Sequence, residues 1–427
     1  MNKRIWLSAA LCIALPSAAY AQTPVQQEVV VNVSANRMAL AIAPMTGVMG
    51  EVSKSIDAML DHTLRLSGLF DVVPQGSYLP AVVGEALNKT NYDIWYASGA
   101  QVLVKGQLVK SGTSYKLELK LFDVSGNKEI ELVYDKPGMQ DGNYAPSVYA
   151  FVNAVIKYFT GEDGFMGQSL IAISRSGKGQ PSRVVTMTTD GQNVANVVKH
   201  SAIQMLPTWG PGGGVLLTSY KSGTPDLYLS QNGVLRIISA QKGMNSGADY
   251  CAGNGRIALT LSKDGNAEIY TIDSNGKNPV RLTTSSAIDT SPSWSPDCSK
   301  IAFVSDRGGS PQIYAMNADG SGVRRVTMVG NYNTNPDWGK NDVIAFSARD
   351  ETHSLDIYTI KADGSELTRI TQQQGKNDKP SWSPDGRYIA FSSTRDGSSR
   401  IYISTADGRT QVAATTSGWY ENPVWGR

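Results

Sequence analysis

The stretch Lys379-Pro380-Ser381-Trp382-Ser383-Pro384-Asp385-Gly386 runs into Ile389-Ala390-Phe391-Ser392. After the turn Arg395-Asp396-Gly397 come Ile401-Tyr402-Ile403, a second turn at Asp407-Gly408, and the more polar Gln411-Val412-Ala413. Short apolar runs separated by Pro- and Gly-containing turns predict four antiparallel strands joined by hairpins, because Pro fixes φ and Gly supplies the positive φ of a tight turn. The pattern recurs. Pro-x-Trp stands at Pro207-Thr208-Trp209, Pro292-Ser293-Trp294, Pro336-Asp337-Trp338, Pro380-Ser381-Trp382 and Pro423-Val424-Trp425, with steps of 44, 44 and 43 residues from Trp294 onward. The gap of 85 from Trp209 to Trp294 holds one worn copy, in which Tyr250 takes the aromatic position seven residues before Ile257. A unit of this length that cannot bury both faces alone is the signature of a propeller blade.

The second strand also occurs six times, at Leu170-Ile171-Ala172-Ile173, Val215-Leu216-Leu217, Ile257-Ala258-Leu259, Ile301-Ala302-Phe303, Val343-Ile344-Ala345-Phe346 and Ile389-Ala390-Phe391. The two series are out of step. The region opens on a second strand with no first strand before it and ends on a first strand with no second strand after it. Pairing Pro423-Val424-Trp425 with Leu170-Ile171-Ala172-Ile173 completes one blade and closes a six-bladed ring, which leaves no open sheet edge. The Asp-Gly pairs at Asp190, Asp264, Asp319, Asp363, Asp385, Asp396 and Asp407 lack the alternating oxygen ligands of calcium loops and read as hairpin turns.

Upstream the pattern changes. Residues 1–21 read as a secretory signal: Lys3 and Arg4, an apolar run from Ile5 to Leu15 too short to span a bilayer, and small residues at Ala19 and Ala21. The mature chain is then expected to begin at Gln22, exported and without a transmembrane segment. Leu11 stands before Cys12 where a lipid-anchor motif has a small residue, which argues against lipidation. Residues 22–163 mix strand-like runs (Glu28 to Val33, Met38 to Pro44, Phe70 to Val73, Gln101 to Val109, Tyr115 to Val124, Glu129 to Tyr134) with helical spacing. Val52, Ile56, Leu60 and Leu64 share one helix face; Val148, Phe151, Val152, Val155, Ile156 and Phe159 share another, stopped by Gly161. The expectation is two domains, a small α/β domain over 22–163 and a six-bladed all-β propeller over 164–427 closed by the C-terminal strand.

Without Lys3 and Arg4 the basic residues equal the 37 acidic ones, so net charge implies neither a nucleic-acid nor an anionic-lipid partner. Cys251 and Cys298 remain after the signal. Export allows a bridge, but one lies beside an inner strand and the other in the turn after it, so two separate packing residues are the favoured reading.

No catalytic constellation is visible: no Gly-x-Ser-x-Gly elbow, no His-Glu-x-x-His pair, and three histidines (His62, His200, His353) without ligand spacing. No cofactor or metal is therefore expected. A propeller without chemistry usually binds. The loops arriving at each inner strand, which ring one tunnel mouth, are expected to hold Met205-Leu206, Asn245-Ser246, Thr290-Ser291, Thr334-Asn335, Asp378-Lys379 and Glu421-Asn422. Their mixture suits an inserted peptide or loop. The competing class is a secreted six-bladed hydrolase or lactonase, or a sugar-binding propeller, with Asp and Glu around the tunnel.

The unit Pro-x-Trp-Ser-Pro-Asp-Gly, Ile-Ala-Phe-x-Ser, Ile-Tyr, Asp-Gly resembles the repeat of the TolB family of the Tol-Pal system. Glu28-Val29-Val30-Val31-Asn32-Val33 and Met38-Ala39-Leu40-Ala41-Ile42-Ala43-Pro44 resemble that family's N-terminal strands. The likeness covers nearly the whole chain. It implies a non-enzymatic periplasmic adaptor whose propeller mouth holds the lipoprotein Pal, with other outer-membrane lipoproteins as further partners. It also implies that the segment from Gln22 to Val33 engages the C-terminal domain of TolA, that the two sites are coupled, and that the system supports outer-membrane integrity and invagination at division. Blade three departs, with Ala248-Asp249-Tyr250 and no Ser-Pro-Asp-Gly, as do Gly210-Pro211-Gly212-Gly213 and Gly339-Lys340-Asn341 in blades two and five.

Overall fold

The structure, a computed structural model, describes residues 37–48, 50–112, 114–135, 143–177, 179–349 and 354–426. The expected signal and the segment from Gln22 to Val33 lie outside these residues, as does His353. The described chain divides into two units: residues up to Gln168 together with Thr188–Gln192, and Ser169–Met187 together with the chain from Asn193 onward.

The first unit is built on a mixed sheet in the order Phe70–Val72, Met38–Ile42, Val102–Ser111, Ser114–Asp123, Lys128–Ile130, with Thr46–Gly47 also paired to Val102–Ser111. Met38–Ile42 runs parallel to both of its neighbours, and the last three strands form an antiparallel meander. The final strand is shorter than the sequence suggested, ending at Ile130. Helix Glu51–Leu66 buries Ile56, Leu60 and Leu64, and helix Ala145–Thr160 buries Val148, Phe151, Val152, Val155 and Ile156. Gly161 ends the second helix in the left-handed conformation, φ 75°. A short helix, Tyr92–Ala97, was not anticipated; it places Trp95 in a core with Tyr78, Leu103 and Phe122. Lys105 is 2% exposed, and its ammonium is satisfied by Glu85 Oε2 at 3.0 Å and by the carbonyls of Ala86 and Lys89 at 2.6 and 2.7 Å. No helix among the described residues is long and apolar enough to cross a membrane.

The second unit is the six-bladed propeller, each blade a four-stranded antiparallel sheet. The inner strands are Trp419–Trp425, Gln204–Trp209, Asn245–Cys251, Asp289–Trp294, Asn333–Trp338 and Asn377–Trp382, which head blades 1 to 6 in that order. Blade 1 joins the two ends of the region as expected: Trp425 pairs with Leu170 and Val424 with Ile171. The tryptophans pack between blades. Trp338 of blade 5 sits in one core with Ala302, Val304 and Ile313 of blade 4, Trp294 with Ala258 and Ile269 of blade 3, and Trp382 with Ala345 and Ile357 of blade 5. Tyr250 takes the corresponding place in blade 3 and is only half-buried.

The cysteine expectation is overturned. Cys251 and Cys298 form a disulfide with a Cα–Cα distance of 6.0 Å. Cys298 occupies the position that Gly386 holds in the Ser-Pro-Asp-Gly turn and adopts the same left-handed conformation, φ 61°. That conformation turns its side chain toward the neighbouring blade, where Cys251 ends an inner strand; different places in the repeat are adjacent in space because consecutive turns share one face. The bridge closes a loop across 47 residues. Constraining the unfolded chain over such a loop stabilises by about 4 kcal/mol. Cys298→Ser is expected to lower the unfolding free energy by that order in denaturant titration, and reductant should bring the parent chain to the same midpoint while leaving the variant unmoved.

Candidate functional site

Each inner strand carries the same irregularity. Pairing with the second strand shifts register between Met205 and Thr208, Ser246 and Asp249, Thr290 and Ser293, Thr334 and Asp337, Asp378 and Ser381, and Glu421 and Val424. At each shift one residue is left-handed: Leu206 (φ 48°), Gly247 (59°), Ser291 (53°), Asn335 (51°), Lys379 (56°) and Asn422 (52°). A side chain held there costs about 1 kcal/mol or more unless it is Gly or Asn, so Leu206, Ser291 and Lys379 are maintained against local preference. In five copies proline follows and contributes no N–H, so the bulge leaves no donor orphaned at that step.

These six residues line a cavity of about 760 Å³ on the propeller axis, which runs past the tryptophans to the turns that follow them, including Gly210, Gly253, Gly339 and Gly426. The sequence-based mouth residues therefore divide. Leu206, Ser291, Asn335, Lys379 and Asn422 line the cavity, whereas Met205, Thr290, Thr334, Asp378 and Glu421 are half-buried one residue away on the other side of the bulge. All of them lie inside the inner strands and not in loops before them, because strand pairing begins ahead of the bulge. In blade 3 the expected pair is one residue out of phase. Ser246 is the counterpart of Thr290, Gly247 takes the cavity position, and Asn245 is wholly buried.

Asn245 belongs instead to a set of buried polar residues that open the inner strands, with Gln204, Asp289, Asn333 and Asn377, each at most 2% exposed. They tie each blade to the one before. Asn333 Nδ2 donates to Gln312 Oε1 at 2.7 Å, and Asn377 Nδ2 to Asp356 Oδ1 at 2.8 Å. Between blades 3 and 4 the same two positions are both acids, Asp289 and Glu268, each 0% exposed. Arg307 and Arg281 each hold one oxygen, at 2.8 and 2.9 Å, while Asp289 Oδ1 and Glu268 Oε2 are buried without a hydrogen bond of normal geometry among the described residues. Burial holds the Asp289 carboxyl above the usual carboxylate range despite Arg307.

One residue before that set, six before each marker aromatic, stands a ring the sequence reading missed: Ile203, Met244, Ile288, Tyr332, Lys376 and Trp419. Ile203, Met244 and Ile288 are 44%, 39% and 54% exposed. Tyr332 lies under the Arg349 guanidinium at 4.1 Å, and Trp419 Nε1 donates to Glu421 Oε1 at 2.9 Å. Five of six copies present a large apolar or aromatic side chain at the mouth. The signal was available in the repeat phase, two residues before each expected mouth pair and one before it in blade 3.

Family models match both units: one described as the TolB beta propeller domain over residues 156–355 and 341–427, and one described as the TolB amino-terminal domain over 28–130. The chain belongs to the TolB family. Among curated relatives, the Tol-Pal system protein TolB of Anaeromyxobacter dehalogenans (strain 2CP-C) is 35% identical over 262 residues, 60% of this chain and 59% of the relative. That of Desulfosudis oleivorans is 34% identical over 294 residues, 67% and 66% of the two chains. The matches thus span three fifths to two thirds of these relatives' lengths. TolB from Acinetobacter baumannii shares the fold, with a TM-score of 0.77 at 23% identity over 92% of this chain and 97% of that one.

The buried acid pair of this TolB-family chain gives a test. Asp289→Asn would reproduce blade 6, where Asn377 Oδ1 accepts from Arg395 at 3.1 Å while Nδ2 donates to the preceding blade. Because the folded Asp289 carboxyl titrates above its unfolded value, its contribution to stability declines as pH rises from that unfolded value through the folded one. Asp289→Asn should therefore raise the unfolding free energy by about 1 kcal/mol at neutral pH, with the gain shrinking toward pH of about 4. Denaturant titrations across that range would refute this if the variant were the weaker one at pH 7.

Proposed function

We propose that this chain is a non-enzymatic periplasmic adaptor of the Tol-Pal system, holding Pal on the propeller mouth and engaging the C-terminal domain of TolA through residues 22–33. The observation that carries the reading is the apolar ring at the mouth. Ile203, Met244 and Ile288, exposed, and Tyr332 and Trp419, half-buried, stand at one repeat position of the inner strands, and large apolar and aromatic side chains grouped in this way mark protein interaction surfaces, not solvated loops. Trp and Tyr are also the residue types that carry most binding energy when a partner desolvates them. The family supplies the partner. The Cys251–Cys298 bridge fits an oxidising compartment, in agreement with export by the segment 1–21. In this role the protein links inner membrane, cell wall and outer membrane and supports outer-membrane integrity and invagination during division.

Measuring affinity for the soluble domain of Pal tests the mouth. Ile288→Asp combined with Trp419→Asp should weaken binding by at least about thirtyfold, while Ile237→Asp, at an exposed site on the fourth strand of blade 2, should leave it unchanged. Unaltered affinity in the double variant would exclude the ring. Deleting residues 22–33 should leave Pal bound and eliminate TolA binding in the same assay; retained TolA affinity would remove that segment from the reading.

A further inference from the structure

Among the six left-handed cavity positions, Lys379 alone carries a charge. Its backbone is held firmly: the N–H donates to Ser347 Oγ and Asp378 Oδ1, both at 2.9 Å. Its ammonium is not. Lys379 Nζ makes no hydrogen bond or ion pair with any described residue. Lys105 shows what this chain does with a lysine whose burial is structural, surrounding it with one carboxylate and two carbonyls. Lysine also has no preference for the left-handed region, so neither backbone geometry nor an internal partner accounts for its presence there.

The acids nearest to Lys379 are committed elsewhere. Asp378 accepts from Asn335 Nδ2 at 3.0 Å and pairs with Lys376 at 2.9 Å. Glu421 accepts from Trp419 Nε1 and faces Arg175 at 3.6 Å. Asp249 and Asp337 also line the cavity, but each accepts from the backbone N–H of a tryptophan in the next blade. Burial pushes the Lys379 ammonium below the usual lysine range, with Asp378 and Glu421 opposing that shift and Lys376 and Arg175 adding to it. A half-buried cation with donors to spare, lining an open cavity, is placed to take an acceptor from outside the protein.

We propose that Lys379 anchors an anion subsite inside the propeller tunnel, which takes one carboxylate or phosphate group from a ligand. The group can arrive on a free solute or on an acidic side chain of a polypeptide seated at the mouth, and only the second source rests on the adaptor reading. Asn335, Ser291 and Asn422 at the same level of the tunnel offer hydrogen bonds that would fix its orientation.

Competitive labelling of the mature protein with a small acylating reagent, followed by mass spectrometry, reads the occupancy of Lys379 against exposed Lys340 at the cavity rim. Inorganic phosphate, acetate and the soluble Pal domain form three arms, each compared with a chloride control at equal ionic strength. Selective protection of Lys379 by phosphate or acetate establishes the subsite whatever Pal does. Protection by Pal alone supports it only if Lys379→Gln weakens Pal binding by at least about tenfold while Lys379→Arg retains it, as expected when a charge-assisted hydrogen bond is lost or kept. Protection by Pal with undiminished affinity in Lys379→Gln would mean simple occlusion and would overturn the subsite while sparing the adaptor reading. Equal labelling in all three arms overturns it outright.

Discussion

The propeller depends on a hydrogen bond that crosses from one blade to the next at the level of the tryptophans, at four of its six seams. The backbone N–H of Trp294 donates to Asp249 Oδ2 at 2.8 Å, that of Trp338 to Ser293 Oγ at 3.0 Å, that of Trp382 to Asp337 Oδ2 at 2.6 Å, and that of Trp425 to Ser381 Oγ at 3.1 Å. In every case the acceptor is the residue just before the marker aromatic of the preceding blade. Buried backbone donors must be paired, and these belong to strands with no further strand on the tunnel side. An Asp or Ser at that one repeat position therefore does two things: it satisfies the neighbour's N–H and fixes the angle between blades. The indole then fills the wedge between sheets, where truncation to Ala would cost about 3–5 kcal/mol.

The left-handed residue three positions before each aromatic is the complement of this constraint. Holding the strand end to the next blade while its beginning stays paired within its own blade requires an extra residue, and the bulge accommodates it. The displaced side chain points out of both ladders and toward the axis. Closure of the ring and lining of the tunnel are consequences of one irregularity, which is why the tunnel residues vary (Leu206, Gly247, Ser291, Asn335, Lys379, Asn422) while their backbone does not.

Much of this was legible in the residues. Blade number, the closing pair of Trp425 with Leu170 and both long amphipathic helices follow from periodicity, because apolar spacing reports directly on which face is buried. The bulge was not legible, since nothing in Thr290-Ser291-Pro292 announces a left-handed Ser, and without it the mouth residues were assigned to loops. Asn245 was misplaced for a related reason: the copy around Tyr250 lacks the proline that marks phase elsewhere. The Cys251–Cys298 bridge was hidden because sequence comparison aligns equivalent places in the repeat, whereas a disulfide joins places that are adjacent in space. The helix Tyr92–Ala97 is only one and a half turns long, too short for a period to show.

The copies that depart from the repeat show how the ring tolerates a weak member. Blade 3 has no proline at the bulge and Tyr250 in place of Trp, so its wedge is smaller and half-buried. The seam on its far side, to blade 4, is the one that carries the disulfide in addition to the Asp249 bond. That same seam holds the two buried acids, Glu268 and Asp289, where other seams pair an amide with an acceptor. The least favourable buried polar pair and the only covalent crosslink among the described residues thus coincide at one junction, on the opposite side of blade 3 from the seam that the half-buried Tyr250 fills. A crosslink placed there offsets local losses that a ring of identical non-covalent seams could not absorb, since a closed propeller fails at its weakest seam.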